Sequence, residues 1–281
     1  MWAETYERDF EDVIRLEKQI ALAIAHEVTG RLSPAAETRL ARGRTANPRA
    51  YDTYLHGRYL FNQGAEEPVL GAIGYFKQAL REDPGFALAY SGLADCNGVG
   101  WLQKANLAVA EKYARQALEL DPELAEAHAS LGIIDTYGLR LADGEKELKR
   151  ALDLNPNYVM AHHWSSVRLV FLGHLELALA ENERARQLDP FSLPVNHLRA
   201  YILLGLLQDY RAIEQAETEA AITPRTSAYM TLARIYWIEG KVPDALAAER
   251  KALNSKPFRR VCMTWTRAPQ FLSNRALTSR S

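Results

Sequence analysis

A proline recurs along the chain at a nearly fixed interval, each time after a polar residue. Pro84, Pro122, Pro156, Pro190, Pro224 and Pro257 are separated by 38, 34, 34, 34 and 33 residues. The junctions Leu120-Asp121-Pro122, Leu154-Asn155-Pro156 and Leu188-Asp189-Pro190 are close copies. A period in this range is the signature of stacked supersecondary units, and it constrains the fold more than any single motif does. Small residues keep the same register. Five residues before each proline stand Ala79, Ala117, Ala151, Ala185, Glu219 and Ala252. Twelve before it stand Ala72, Ala110, Gly144, Ala178, Ala212 and Ala245. In the last four repeats Gly132, Ser166, Ala200 and Ala233 stand twenty-four before it; an insertion of three or four residues brings Gly57 and Ala94 to that place in the first two.

Between these small positions the apolar pattern is helical. Ala127, Leu131 and Ile134 share one face, and Leu148, Ala151 and Leu152 share another on a second helix. Proline, which lacks an N–H and restricts the residue before it, ends the second helix of each pair. Gly173 and Gly240, seven residues after the small position, mark turns between the two helices. No stretch in this region alternates as a strand would. Each repeat is therefore predicted to be a helix–turn–helix hairpin that buries its apolar face by stacking on a neighbour, giving an all-α solenoid.

These small-residue, aromatic and proline positions resemble the tetratricopeptide (TPR) repeat. The resemblance covers six repeats, roughly Ala50 to Pro257, with its best copy from Ala125-Glu126-Ala127-His128 through Gly132 to Asn155-Pro156. The fifth repeat departs most, with Leu207 at the usual turn glycine and Glu219 in place of alanine. The resemblance implies a right-handed α-solenoid of about six TPR hairpins over residues 47–257, flanked by an N-terminal strand and helix linker at 1–46 and a tail at 258–281.

Residues 1–46 read differently. Trp2, Glu4, Tyr6 and Arg8 would share one face of a strand, and Val13, Leu16, Ile20, Ile24 and Val28 mark an amphipathic helix stopped by Gly30. A lone strand needs a partner. The order Trp2-Ala3-Glu4-Thr5-Tyr6-Glu7-Arg8-Asp9, then Glu11-Asp12-Val13-Ile14 and Ile20-Ala21-Leu22-Ala23-Ile24-Ala25, is similar to the end of a TolB-like amino-terminal domain where it passes into TPR repeats. Such junctions occur in bacterial CadC-type transcriptional and cyclase-type regulators. Two expectations follow: a C-terminal fragment of a larger regulator, with that strand unpaired, or a free-standing adaptor whose residues 1–46 fold back as a helical cap. The tail, Phe258 to Ser281, holds five Arg and no acidic residue or Lys. It reads either as an unstructured or frame-degraded end or as a basic peptide contacting RNA, DNA or an acidic partner.

Composition narrows function further. With 34 Lys plus Arg against 35 Asp plus Glu, the net charge is −1, which argues against a nucleic-acid or anionic-membrane binder. Cys96 and Cys262 build neither a disulfide framework nor a zinc site, fitting a reducing, cytoplasmic compartment. The acidic start is unlike a signal peptide, and no apolar run approaches membrane-spanning length. No phosphate-cradling loop or Gly-x-Ser-x-Gly elbow is present, and the chain is expected to be no enzyme and to take no cofactor, metal or small-molecule substrate. His128 and His162 share a repeat position and His197 lies one further on; all are read as polar residues packing or lining the array. Acidic pairs such as Glu66 with Glu67 and Glu181 with Glu183 are read as solvated surface.

What remains is binding of a protein or peptide. The family resemblance implies that first-helix positions 2, 5, 9, 12 and 13 line a concave groove. Mapped here, these include Tyr54, Arg58 and Phe61; Asp95; Ile133 and Tyr137; His163, Val167, Val170 and Phe171; His197, Tyr201 and Leu204; and Met230, Arg234 and Trp237. This lining is aromatic and aliphatic. Arg58 and Arg234 lie at opposite ends, which disfavours a clamp for a terminal carboxylate and favours an extended or helical ligand with apolar anchors. For any single residue, packing between neighbouring helices is the alternative. Exposed apolar end faces also leave room for association between copies.

Overall fold

The computed structural model describes residues 47–63, 66–98, 106–206, 209–222 and 226–254. The expectations for the strand and helix at 1–46 and for the basic tail lie outside these residues. Among the described residues the chain forms twelve α-helices and no strand: α1 (Pro48–Phe61), α2 (Glu66–Glu82), α3 (Ala87–Gly98), α4 (Leu107–Leu120), α5 (Ala125–Tyr137), α6 (Leu141–Leu154), α7 (Val159–Phe171), α8 (Leu175–Leu188), α9 (Leu193–Gly205), α10 (Asp209–Ile222), α11 (Thr226–Ile238) and α12 (Val242–Asn254). Consecutive helices pair into six hairpins. The chain divides into two compact units, Met1–Pro156 and Asn157–Ser281, each taken by itself below.

The Asp/Asn-Pro junctions have a local cause. After α2, α4 and α8, the carboxylates of Asp83, Asp121 and Asp189 accept hydrogen bonds from the backbone N–H groups of Gly85, Glu123 and Phe191 at 2.9–3.1 Å. Each side chain thereby closes a tight turn around the proline. A short polar residue is needed there to reach its own backbone two residues on, and proline fixes the intervening φ. Asn47 opens α1 in a related way, accepting from the N–H of Arg49 and Ala50.

Counting the small residue of each first helix as position 8 and that of each second helix as position 20 puts the packing in register. Position 20 is occupied by Ala72, Ala110, Gly144, Ala178, Ala212 and Ala245, and all are buried. In α5–α6 the two helices approach so closely that a Cβ added to Gly144 would lie 2.8 Å from both the Gly132 carbonyl oxygen and Thr136 Oγ1. Thr136 Oγ1 donates to that same carbonyl at 2.8 Å, so a hydroxyl and a glycine together seal the crossing.

Within the first unit, the ring of Phe76 on α2 is clasped between Gly57 of α1 and Gly92 of α3; a Cβ at either glycine would come within 2.6–2.7 Å of it. Ala94, Ala110, Ala114, Leu131 and Ile134 form a continuous core linking the second and third hairpins. Ala127, Leu131, Ile134, Leu148 and Ala151 are buried as the helical pattern requires, and Leu152 is half-buried. Within the second unit, the core runs from Ala200, Leu203 and Leu204 of α9 to Leu232, Ala233 and Ile235 of α11, with α10 contributing Ala212 and Ala216. Each first helix stacks on the first helix of the next hairpin inside its unit, so α9 lies against both α7 and α11. The expected turn glycines Gly173 and Gly240 adopt φ of 75° and 72°; in the third hairpin Leu139 takes the equivalent place with φ 61°. No helix among the described residues is long and apolar enough to cross a membrane.

Candidate functional site

The first-helix residues expected to line a groove divide by what already occupies them. In the first unit Tyr54 is 8% exposed, with its ring 5.2 Å from that of Phe86 and 5.7 Å from that of Phe76. Burial raises its phenol pKa above the usual tyrosine range. Arg58 pairs with Asp95 at 2.8 Å and lies over the Phe61 ring at 5.1 Å from its centroid. Asp95, 3% exposed, also accepts a 2.6 Å bond from Ser130 Oγ, whose oxygen lies 3.1 Å from Ser91 Oγ. Desolvation raises the Asp95 pKa, and the Arg58 charge and the Ser130 bond oppose it. A buried ionic and hydroxyl spine thus joins α1, α3 and α5. Burial pushes the Tyr137 hydroxyl up to about 12. In this unit the expected lining is therefore taken up largely in joining one hairpin to the next.

The second unit differs. Val167 is 9% exposed, but Phe171 is 40% exposed, Met230 41% and Trp237 46%. Tyr201 is half-buried, its ring 5.1 Å from that of His197 and under the Arg234 guanidinium at 5.9 Å. The Trp237 indole N–H donates to Glu249 at 2.7 Å, which fixes one edge of the ring while leaving much of its surface exposed. α7, α9 and α11 therefore carry three exposed large apolar side chains, a stacked Tyr–Arg pair and two imidazoles at the positions named from sequence. His163 is buried against Trp164 at 4.5 Å between ring centroids, and among the described residues its Nδ1 has no hydrogen-bond partner. Burial, reinforced by His197 nearby, holds its pKa down at about 3, so this imidazole is neutral. Thr231 Oγ1 lies 3.2 Å from His197 Nδ1, and the Glu219 carboxylate is 3.6 Å from the same nitrogen. Glu219 is 6% exposed at a place where the other hairpins bury alanine.

His128 and His162 have a common structural role. His128 contacts Glu147 at 2.6 Å and His162 contacts Glu181 at 2.7 Å; both pairs join position 4 of the first helix to position 23 of the second. Asn196 with Gln215 and the rings of Tyr90 and Tyr113 repeat the geometry with other chemistry. Glu181 and Glu183, read from sequence as solvated surface, are both engaged: Glu183 pairs with Arg186 and, at 2.8 Å, with Arg199. Sequence reasoning missed these partners and the Arg58–Asp95 pair. The only available signal was the recurrence of polar residues at position 4. Among the described residues, no group of three or more His, Cys, Asp or Glu is placed to hold a metal ion.

No family model matches the chain. A putative adenylate cyclase 3 from Rhizobium meliloti (strain 1021) is 26% identical over 147 residues, 50% of this chain. The match spans a quarter of the length of that relative. Solved structures share the fold. The chain superposes on Pseudomonas aeruginosa PilF with a TM-score of 0.51 at 23% identity, covering 61% of this chain and 77% of that one. TTC0263, a thermophilic TPR protein from Thermus thermophilus, gives 0.51 at 22% identity, over 54% of this chain and 84% of that one. PilW, a type IV pilus biogenesis factor, gives 0.52 at 18% identity, over 75% and 95% respectively. The fold is that of a tetratricopeptide-repeat array.

Proposed function

We propose that this chain is a non-enzymatic protein-interaction scaffold whose second unit holds a peptide or partner segment by apolar anchors. The observation that carries the reading is the exposure of Phe171, Met230 and Trp237, together with the Tyr201–Arg234 stack, all on the first helices of consecutive hairpins. Large aromatic side chains left accessible on a rigid surface are the residue types that dominate binding energy at interfaces. An extended or helical segment with one or two large apolar side chains and an acidic group near Arg234 fits this surface best. His163 and Val167 would form the floor, and His197 would offer a polar contact.

A second reading concerns the protein around this chain. The partial likeness to a putative adenylate cyclase favours the repeats being the recruiting arm of a larger bacterial signalling regulator. The resemblance of residues 1–46 to the end of a TolB-like domain in CadC-type and cyclase-type regulators points the same way. Under this reading the scaffold role is unchanged, and the partner would be a component of that signalling system.

The experiment is to pan a displayed random-peptide library against the full chain and measure affinities of the selected peptides. Tyr201→Ala together with Trp237→Ala should weaken them by at least about tenfold, as expected for losing two aromatic anchors, with the far-UV circular dichroism unchanged. Peptides that bind the double variant as tightly as the parent chain would place the site elsewhere.

A further inference from the structure

Positions 3, 6, 7 and 10 of a first helix face the preceding hairpin. In α3 they are Ala89, Gly92, Leu93 and Cys96, and all are buried. In α5 they are Ala127, Ser130, Leu131 and Ile134, again all buried, and α11 repeats the pattern in the second unit. In α1 the same places hold Asp52, Leu55, His56 and Tyr59. Leu55 is 41% exposed and Tyr59 69% exposed. Beside them Tyr75 of α2, 38% exposed, stacks on the His56 ring at 5.6 Å between centroids. The face therefore has large apolar side chains where its equivalents in α3, α5 and α11 are covered, and among the described residues nothing covers it.

In α3, α5 and α11 this face is covered by the hairpin that precedes it in the chain, and in α9 it is buried at Val195 and Ile202 and half-buried at Leu198 and Arg199. The element preceding α1 is residues 1–46, and its sequence carries a matching surface: Val13, Leu16, Ile20, Ile24 and Val28 fall on one helical stripe. A helix over residues 13–28 would be about 24 Å long, close to the roughly 21 Å of α1. The 18 residues from 29 to 46 reach up to about 60 Å when extended, ample to return such a helix to α1. We propose that residues 13–28 of this chain dock on the Leu55–Tyr59–Tyr75 face as its own N-terminal cap, taking the place that a preceding hairpin takes elsewhere. A terminal repeat needs such a cover because an apolar stacking face otherwise meets water. This inference is independent of what the second unit binds.

Hydrogen exchange on the full chain at low concentration tests it. Amides within 13–28 should exchange at least about tenfold more slowly than an unstructured segment. Leu55→Glu with Tyr59→Glu should bring them to the unstructured rate while amides of α5 and α6 keep theirs. If that variant unfolds, Ile20→Glu with Ile24→Glu leaves the helices α1–α12 untouched and should release the segment and speed exchange in α1. Three results would overturn the proposal. One is unstructured exchange of 13–28 in the parent chain. Another is protection that survives both double variants. The third is protection that appears only as a dimer forms by light scattering, which would make a second copy the occupant.

Discussion

Leu139 holds a left-handed backbone, φ 61°, at a turn where the fourth and sixth hairpins place Gly173 and Gly240. Its side chain is 74% exposed, so the strain is offset by almost no packing. Leu139→Gly should stabilise the chain by about 1 kcal/mol, since the cost of left-handed backbone for an L-residue exceeds glycine's entropic loss; urea denaturation measures it. Gly144 is the opposite case. Gly144→Ala places a Cβ 2.8 Å from a backbone oxygen at the α5–α6 crossing and should cost about 2 kcal/mol despite alanine's better helix propensity. His163 supplies a pH dependence. Its pKa of about 3 in the fold, against 6.5 for the unfolded chain, means the unfolded state binds the extra proton. Its contribution is therefore fully present above about pH 6.5 and is lost as pH falls toward 3. His163→Leu should flatten that part of the urea-midpoint profile. The loss expected from Glu183, whose carboxylate is held low by Arg186, begins only below the ordinary glutamate range.

At the scale of the helix, the hairpins are joined by two kinds of contact with very different visibility in sequence. The small residues at positions 8 and 20 and the Asp/Asn-Pro junctions are legible because each serves a geometric need that few residue types meet. The bond between positions 4 and 23 is far less so, because His–Glu, Asn–Gln and Tyr–Tyr all satisfy the same geometry. The Arg58–Asp95 pair leaves no periodic trace, since its partners share position 9 of successive first helices and the next three hairpins carry Ile133, Val167 and Tyr201 there. The expected groove role of Tyr54 met a similar limit: its position follows from the repeat, but its packing depends on Phe76 and Phe86 nearby. The ion pair carries a prediction of its own. Arg58→Ala leaves a 3%-exposed carboxylate without its counter-charge and should destabilise the first unit by about 3 kcal/mol. Replacing both partners, Arg58→Met with Asp95→Leu, should recover most of that loss.

At the scale of the whole chain, two units share one construction and differ in what they leave open. The first spends its central first-helix residues on an internal ionic and aromatic spine, whereas the second leaves Phe171, Met230 and Trp237 accessible and stacks Arg234 on Tyr201. A near-neutral net charge leaves shape and apolar contact, rather than long-range steering, as the means of selecting a partner. The most direct test is to titrate a library-selected peptide into the isotope-labelled chain and follow the amide resonances. Shifts should concentrate at Phe171, Tyr201, Met230, Arg234 and Trp237, with second-helix residues such as Leu177, Tyr210 and Leu246 unmoved. Shifts concentrated on those second-helix residues, or on α1 to α6, would contradict the proposed site.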